Sequence, residues 1–442
     1  MKRKAAFLIA VLLFVLTAAM PVCAEYNSEI SDDMYSPVYM LVSLDDSTVI
    51  FNKGENKKCP PATFVKIVTA ITVIESCKDI DSIITVDGGA LNIDGFEYGM
   101  VTSELSPGES MSVRNLLYCC MLQSANDAAN VLAWHFGSGK VSAFVEKMNQ
   151  LVNTIGCENT VLKNATGLDA DGQYTTAEDM VKIISYGLSQ PVFKEIFSAS
   201  YIEIPATNKH SARTYYTGNS MMFSSNGDYY YEYVNGGKAG STDKGGYVIA
   251  ATATKDGYSY LAIVMKGKRK ALTSGGEEKN LAVIDAKTML RWAYNNIRLK
   301  SVAKTSQIIT VIDVKSGKDA DHVGLVPADE VTALVPANAD YSSVLIEPIQ
   351  DSVKESVTAP VYKGDVLGQA KIIYSGKEIA RVDLVAAETV KRSGIRFAGN
   401  IFVSVFSSSV FKIVAGIVVI LVAVFVIITL AGYYKERKQH IK

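Results

Sequence analysis

The 442-residue sequence predicts a mixed α/β domain, an antiparallel sheet flanked by helices, followed by a small C-terminal β-sandwich and one transmembrane helix. Three observations carry that prediction. Strand-like runs bracket a block of helical segments in the first part of the chain. After Asn296, short Val/Ile-rich runs recur between turn residues. Near the C-terminus, an uncharged apolar stretch is about long enough to cross a bilayer.

The first strands are read at Val38–Val42 and Val49–Phe51, on either side of the turn-forming Asp45-Asp46-Ser47. Helical segments follow at 63–76, 112–122, 126–136, 141–155 and 176–188. Strands dominate again from about 200 to 266. Among them, Tyr247–Thr254 and Tyr258–Met265 form a hairpin around Asp256-Gly257, a pair suited to a tight turn. Glu277–Tyr294 reads as a helix whose apolar side includes Leu281, Ile284, Met289 and Leu290. The first domain thus spans 25–298. Residues 299–392 carry strand-like runs at Ile308–Ile312, Val331–Val335, Val344–Ile349, Ala370–Ile373 and Arg381–Val385, the pattern of a small sandwich. The segment 393–412 is open to two readings, an amphipathic helix on a membrane face or a linker.

The ends read as targeting and anchoring segments. Lys2, Arg3 and Lys4 precede an apolar run and then Val22-Cys23-Ala24, so 1–24 is expected to be a signal peptide. Residues 413–434 carry no charge, and Lys435, Arg437 and Lys438 follow, which predicts a transmembrane helix with 435–442 as a cytoplasmic tail. The main domains are then extracytoplasmic, held at the cell membrane by a single pass. A formal net charge of -1 gives no reason to expect nucleic acid as a partner. The cysteines at 23, 59, 77, 119, 120 and 157 lack framework spacing, and the adjacent Cys119 and Cys120 read as small buried hydrophobes. His135, His210, His322 and His440 are scattered, and none sits in a metal-ligand pattern. No metal and no cofactor is expected.

Three short motifs carry candidate chemistry. Thr63-Phe64-Val65-Lys66 opens a helix that is apolar nearly all round and so is expected to be buried. Positions i and i+3 are neighbours on a helix, which puts a hydroxyl within reach of a lysine. A desolvated lysine can act as a base near neutral pH. The competing reading makes Thr63 an N-cap and sends Lys66 to solvent. Ser124-Ala125-Asn126 sits between two apolar helical runs, where it can also be an ordinary helix-helix turn. Gly236-Gly237-Lys238-Ala239-Gly240-Ser241-Thr242 allows close backbone approach and supplies a positive charge; its plainer reading is a glycine-rich turn.

Together, in this order, the three motifs resemble the Ser-x-x-Lys, Ser-x-Asn and Lys-Thr-Gly set of the penicillin-binding proteins. The chain is similar to the D-alanyl-D-alanine carboxypeptidases among them, the low-molecular-weight, serine peptidase type. The likeness extends to Leu162-Lys163-Asn164-Ala165-Thr166-Gly167-Leu168, to Gly245-Gly246-Tyr247, and to Ala359–Gly368 in the C-terminal part. It implies a β-lactamase/transpeptidase-like domain acting on peptidoglycan stem peptides, with a β-lactam as a further ligand. It also implies acyl transfer. Thr63 takes the nucleophile position, Lys66 the base position, and Ser124 shuttles a proton. Asn126 holds the substrate amide, and Lys238 attracts its carboxylate. Ala239, Gly240, Ser241 and Thr242 line the substrate-binding strand, and the backbone N–H groups of Thr63 and Ser241 form the oxyanion hole.

The sequence departs from that pattern twice. Thr63 replaces the nucleophilic serine, and its extra methyl crowds the path of attack and restricts χ1. Ala239 replaces the threonine whose hydroxyl helps to bind the carboxylate; Ser241 or Thr242 could take over. Two functions follow: a slow or specialised carboxypeptidase trimming terminal D-Ala, or a catalytically inactive member that binds stem peptides or a cell-wall enzyme at the membrane.

Overall fold

Both faces of the central sheet are apolar, because successive side chains along a strand point to opposite sides. In β1 (Val38–Ser43), Val38, Met40 and Val42 join the core beneath a block of helices, while Tyr39 and Leu41 are buried on the other side. The computed structural model that shows this describes residues 34–439 apart from 94–96, 98, 274, 338–343 and 375–376. The expected signal peptide and His440 lie outside the described residues.

The sheet contains β1, β2 (Val49–Lys53), β3 (Val234–Thr242), β4 (Gly246–Lys255) and β5 (Tyr258–Gly267). Its order is β2-β1-β5-β4-β3, antiparallel throughout, which leaves β3 at one edge. The β4–β5 hairpin turns at Asp256-Gly257, where both residues have positive φ. On one face lie α1 (Val65–Ser76), α2 (Val113–Tyr118), α3 (Asn126–Phe136), α4 (Val141–Thr154), α5 (Ala177–Leu188) and α6 (Pro191–Ser198). Burying each large aliphatic or aromatic side chain here contributes roughly 1.5–3 kcal/mol. On the other face lies α7 (Leu281–Asn296), with Trp292 edge-on to Phe51 and Tyr294 edge-on to Tyr260.

Several boundaries differ from those read in the sequence. Helix α7 starts at Leu281 rather than Glu277, because Glu278–Asn280 pairs as a strand with Arg269–Ala271 and Asn280 caps the helix by accepting from the Ala282 amide. Helix α6 was not read; Pro191 opens it, and its Phe193, Ile196 and Phe197 are buried. The segment read as a helix over 112–122 is α2 followed by a π-helical turn, Cys119–Gln123.

A second unit comprises 299–335 and 339–442. In it a six-stranded sheet and the pair Ile297–Ala303 with Val331–Pro336 contribute to one core, including Val302, Val335, Leu325 and Leu384. Helix α8 (Gly394–Ser407) covers most of the 393–412 segment. Helix α9 (Ser409–Gln439) follows, and its Ser409–Leu430 stretch has mean hydropathy 3.4 with none of it buried, long and apolar enough to cross a membrane.

Candidate active site

Thr63 does not cap a helix. It lies in a 3-10 turn, Ala62–Phe64, and the N-cap position of α1 falls on Phe64, with no side-chain cap. Lys66, in the first turn of α1, does not reach solvent either; it is 2% exposed. The turn is strained. Ala62 holds φ +49°, which costs a non-glycine residue on the order of 1–3 kcal/mol. Glycine is required opposite it: Gly167 has φ +84°, and a Cβ there would stand 2.0 Å from the Ala62 carbonyl oxygen.

That contact brings the 162–168 loop onto α1. Asn164 ties the loop together, its Oδ1 accepting from the Gly167 amide at 2.7 Å and its Nδ2 donating to the Leu168 carbonyl at 2.9 Å. Thr69, one turn beyond Lys66, donates to the Ala165 carbonyl at 2.8 Å. Lys66 Nζ then donates to the Thr166 carbonyl and, at 2.8 Å, to Asn126 Oδ1.

Asn126 is the first residue of α3, and Ser124 is the left-handed residue (φ +62°) that ends the π turn before it. The next residue, Asp127, fixes this corner. Its Oδ1 accepts from the amides of Ser103 (2.9 Å) and Ala128 (2.8 Å), and its Oδ2 from Leu105 (3.0 Å). The hydroxyls of Thr63 and Ser124 are both buried, and neither has a hydrogen-bond partner. The hydrogen bonds of Lys66 go to Asn126, two residues after Ser124, and to Thr166, and to neither hydroxyl.

Edge strand β3 closes the other side. A Cβ at Gly240 would meet Thr63 Oγ1 and Cγ2 at 2.5 Å, so the strand passes directly against the threonine. Lys238, two residues earlier, is 1% exposed. Strand alternation places Lys238, Gly240 and Thr242 on one side and Ala239 and Ser241 on the other. Thr242 is committed: it donates to Asp169 Oδ1 at 2.8 Å and accepts from the Gly245 amide at 3.0 Å. Ser241 is exposed, on the side where Ala239 lacks a hydroxyl.

The two lysines are close enough to influence each other. Among the described residues, neither has a carboxylate within ion-pair distance. Burial lowers Lys66 to about 8, against smaller opposing effects of Cys120 and Asp127. Burial, with a smaller contribution from the charge of Lys66, lowers Lys238 to about 7. Such lysines can be neutral, and so basic, near physiological pH. Cys119 and Cys120 are free buried thiols, as expected for small hydrophobes.

The arrangement unites Thr63, Lys66, Ser124, Asn126, Lys238 and Gly240. Sequence reading did not single out Asp127 or the Thr166 carbonyl; an acidic residue just inside a helix and a loop carbonyl carry no motif signal of their own. His210 takes no part: its Nε2 is 3.0 Å from Ser106 Oγ, and it pairs with buried Glu109, which Arg213 also engages. Among the described residues no cluster of His, Cys, Asp and Glu could hold a metal. A groove of about 410 Å³ at the far end of the sheet, bordered by Ser43, Asp45, Lys194, Asn235 and Thr254, contains none of the predicted site residues.

Comparison with known proteins follows the same division of the chain. Residues 25–269 match the family model for D-alanyl-D-alanine carboxypeptidase, and residues 298–392 match that for the penicillin-binding protein 5 C-terminal domain. The chain is 28% identical over 386 residues to D-alanyl-D-alanine carboxypeptidase DacF of Bacillus subtilis, covering 87% of this chain and 93% of that one. It is 26% identical to D-alanyl-D-alanine carboxypeptidase DacC of Escherichia coli, with 82% and 86% covered. The solved penicillin binding protein 5 of Haemophilus influenzae shares the fold, with a TM-score of 0.61 at 24% identity over 81% of this chain and 98% of that one.

Proposed function

The chain belongs to the D-alanyl-D-alanine carboxypeptidase family, and from that premise we propose that it removes the terminal D-Ala of peptidoglycan stem peptides through an acyl-enzyme on Thr63. The observation that carries this reading is a pair of buried lysines, neither of them ion-paired among the described residues, beside two buried hydroxyls without hydrogen-bond partners. Buried polar groups are ordinarily satisfied. Leaving two hydroxyls unsatisfied beside lysines that titrate near neutrality is costly in an idle protein and useful in an enzyme.

In the proposed reaction, neutral Lys66 takes the proton of Thr63 as its oxygen attacks the carbonyl of the penultimate D-Ala. Backbone N–H groups of Thr63 and Ser241 hold the oxyanion. Ser124 relays the proton to the leaving amine, so D-Ala departs neutral at nitrogen and the acyl group stays on Thr63. Water then attacks the ester with Lys66 again as base, restoring the hydroxyl. Asn126 aligns the substrate amide, and charged Lys238 attracts the terminal carboxylate. A β-lactam would acylate the same oxygen. The apolar helix α9 would hold the enzyme to the membrane with this domain on the outer side.

One observation favours a second reading, stem-peptide binding without turnover: Thr63 Oγ1 forms no hydrogen bond with Lys66. The test compares the natural protein with Thr63→Ser, using fluorescent penicillin and D-Ala release from a pentapeptide. A covalent adduct on Thr63 with slow release supports the first reading. Binding that survives Thr63→Ala, with neither adduct nor release at high enzyme concentration, replaces it with the second.

A further inference from the structure

Beside the cleft stands a hairpin whose outer face is unusually aromatic. Tyr201–Ile204 pairs antiparallel with Arg213–Tyr216, in the register Tyr201 to Tyr216 and Glu203 to Thr214. Ile202 and Tyr215 turn inward and pack on the helical core. Tyr201 and Tyr216 turn outward and are 60% and 59% exposed. Their ring centroids lie 6.1 Å apart with the planes 33° from parallel, and Phe223 stands edge-on to Tyr216 at 6.2 Å. Two large rings held side by side at this exposure leave apolar area in water that a ligand can cover.

The hairpin is fastened to both walls of the candidate site. On one side, Arg213 Nη1 donates to the Ser103 carbonyl at 2.8 Å, and the Ser103 amide donates to Asp127 beside Asn126. On the other, Asn219 donates to the Gly236 carbonyl of β3, and a Cβ at Gly218 would lie 3.6 Å from the Ala239 carbonyl oxygen. Tyr216 is therefore two residues along the chain from Gly218, which lies against the strand expected to bind the substrate.

We propose that Tyr201, Tyr216 and Phe223 form a platform for the neutral glycan strand that carries the stem peptide. The proposal rests on the stem-peptide reading of the cleft for its choice of ligand. An aromatic face is electron-rich, and a pyranose presents a sheet of C–H groups of opposite polarity, so the two stack. Glu203 and Thr214 flank the rings on the same face and offer hydrogen-bonding groups for sugar hydroxyls or acetamides. The four outward residues of the hairpin strands, Tyr201, Glu203, Thr214 and Tyr216, include no cation. That composition disfavours an anionic lipid surface as the occupant. A ligand bound here and in the cleft at once gains affinity through its own covalent link.

The experiment titrates the full-length, detergent-solubilised protein with N-acetylglucosamine oligomers, a neutral stand-in for the glycan strand, by calorimetry. The natural protein is expected to bind. Tyr216→Ala and Tyr201→Ala should each weaken binding by about tenfold, while Tyr216→Trp retains it. Thermal melting and fluorescent-penicillin reactivity should stay as in the natural protein. Failure of the natural protein to bind glycan, or equal binding by both alanine variants, overturns the platform. Should an alanine variant not fold, saturation transfer from tyrosine ring protons to sugar protons in the natural protein decides instead, and its absence overturns the proposal. Glycan binding without D-Ala release refutes turnover in the cleft and leaves the platform standing. Release without glycan binding refutes the platform alone.

Discussion

Strand β3 runs so close to Thr63 that a Cβ at Gly240 would stand 2.5 Å from both Oγ1 and Cγ2 of the threonine. Gly240→Ala is therefore expected to push the strand away, lowering stability by about 1–3 kcal/mol and abolishing penicillin labelling. Thr63→Ser removes Cγ2, one of the two clashing atoms. The double variant should then be more stable than the sum of the single changes allows. Thermal melts of the four proteins in a double-mutant cycle measure that coupling, and strict additivity would show that the two residues do not meet.

Thr63→Ser alone should increase the rate of penicillin acylation. The threonine methyl occupies the side from which β3 approaches, and displacement of a nucleophile by about 1 Å costs on the order of a hundredfold. Stopped-time labelling gives the rate directly. No change would mean that the methyl is not what limits the site.

The lysine pair predicts a distinctive pH dependence. Lys66, lowered to about 8, must be neutral to act as base, whereas Lys238, lowered to about 7, must be charged to hold a carboxylate. For the free enzyme, kcat/KM should follow a bell between these two values, with only a small fraction of molecules in the competent form. Stability moves with pH in a definite sense. Both folded-state values lie below that of an unfolded lysine, so above about 7 the unfolded chain binds more protons and stability rises with pH up to about 10.5. Lys238→Met removes its share of that rise, about 1.4 kcal/mol per pH unit, and should stabilise the fold most below pH 7. Urea melts from pH 6 to 10 on both proteins check the slope.

On the side of β3 where Ala239 carries no hydroxyl, Ser241 carries one, and the proposed function assigns this strand to the substrate carboxylate. Ala239→Thr should tighten binding of a D-Ala-terminated peptide by roughly 1.5–3 kcal/mol, the worth of a hydrogen bond to a charged group. Ser241→Ala should weaken it by a similar amount. Thr242→Ala should leave affinity largely alone and loosen the turn, because that hydroxyl already serves Asp169 and Gly245. Equal losses for the Ser241 and Thr242 variants would show that alternation along β3 does not decide which hydroxyl faces the substrate.

Legibility in the sequence followed periodicity and local chemistry. The β4–β5 hairpin was legible because Asp256-Gly257 supplies the positive φ that its turn requires. The C-terminal apolar helix was legible from length alone. Helix α6 was not, since eight residues give too few turns for a period to show. Thr63 is not the cap because a 3-10 turn with Ala62 at positive φ, closely approached by Gly167, precedes α1 and puts the cap position on Phe64. The burial of Lys66 was legible in the all-round apolar helix that carries it, whereas that of Lys238 follows from elements far apart in the chain, and no local pattern encodes it. Three motifs suggested one site, but only the fold shows the lysines neighbouring each other without an acid between them.

Asp127 gives the last prediction, because it joins the stability of the corner to the placement of Asn126. Each of its oxygens is taken by backbone N–H groups from Ser103, Leu105 and Ala128. Asp127→Asn keeps the shape but replaces one acceptor with a donor, leaving at least one buried N–H without a partner. The expected cost is about 1–3 kcal/mol, with a larger loss for Asp127→Ala. The functional consequence should be separable from the loss of stability. Asn126 adjoins the disturbed residue and accepts from Lys66 at 2.8 Å, so the base should lose its anchor. In a Thr63→Ser background, acylation by penicillin should fall well below that of the parent at a temperature where both proteins remain folded. Labelling unchanged at that temperature would show that Asp127 supports the fold and not the site.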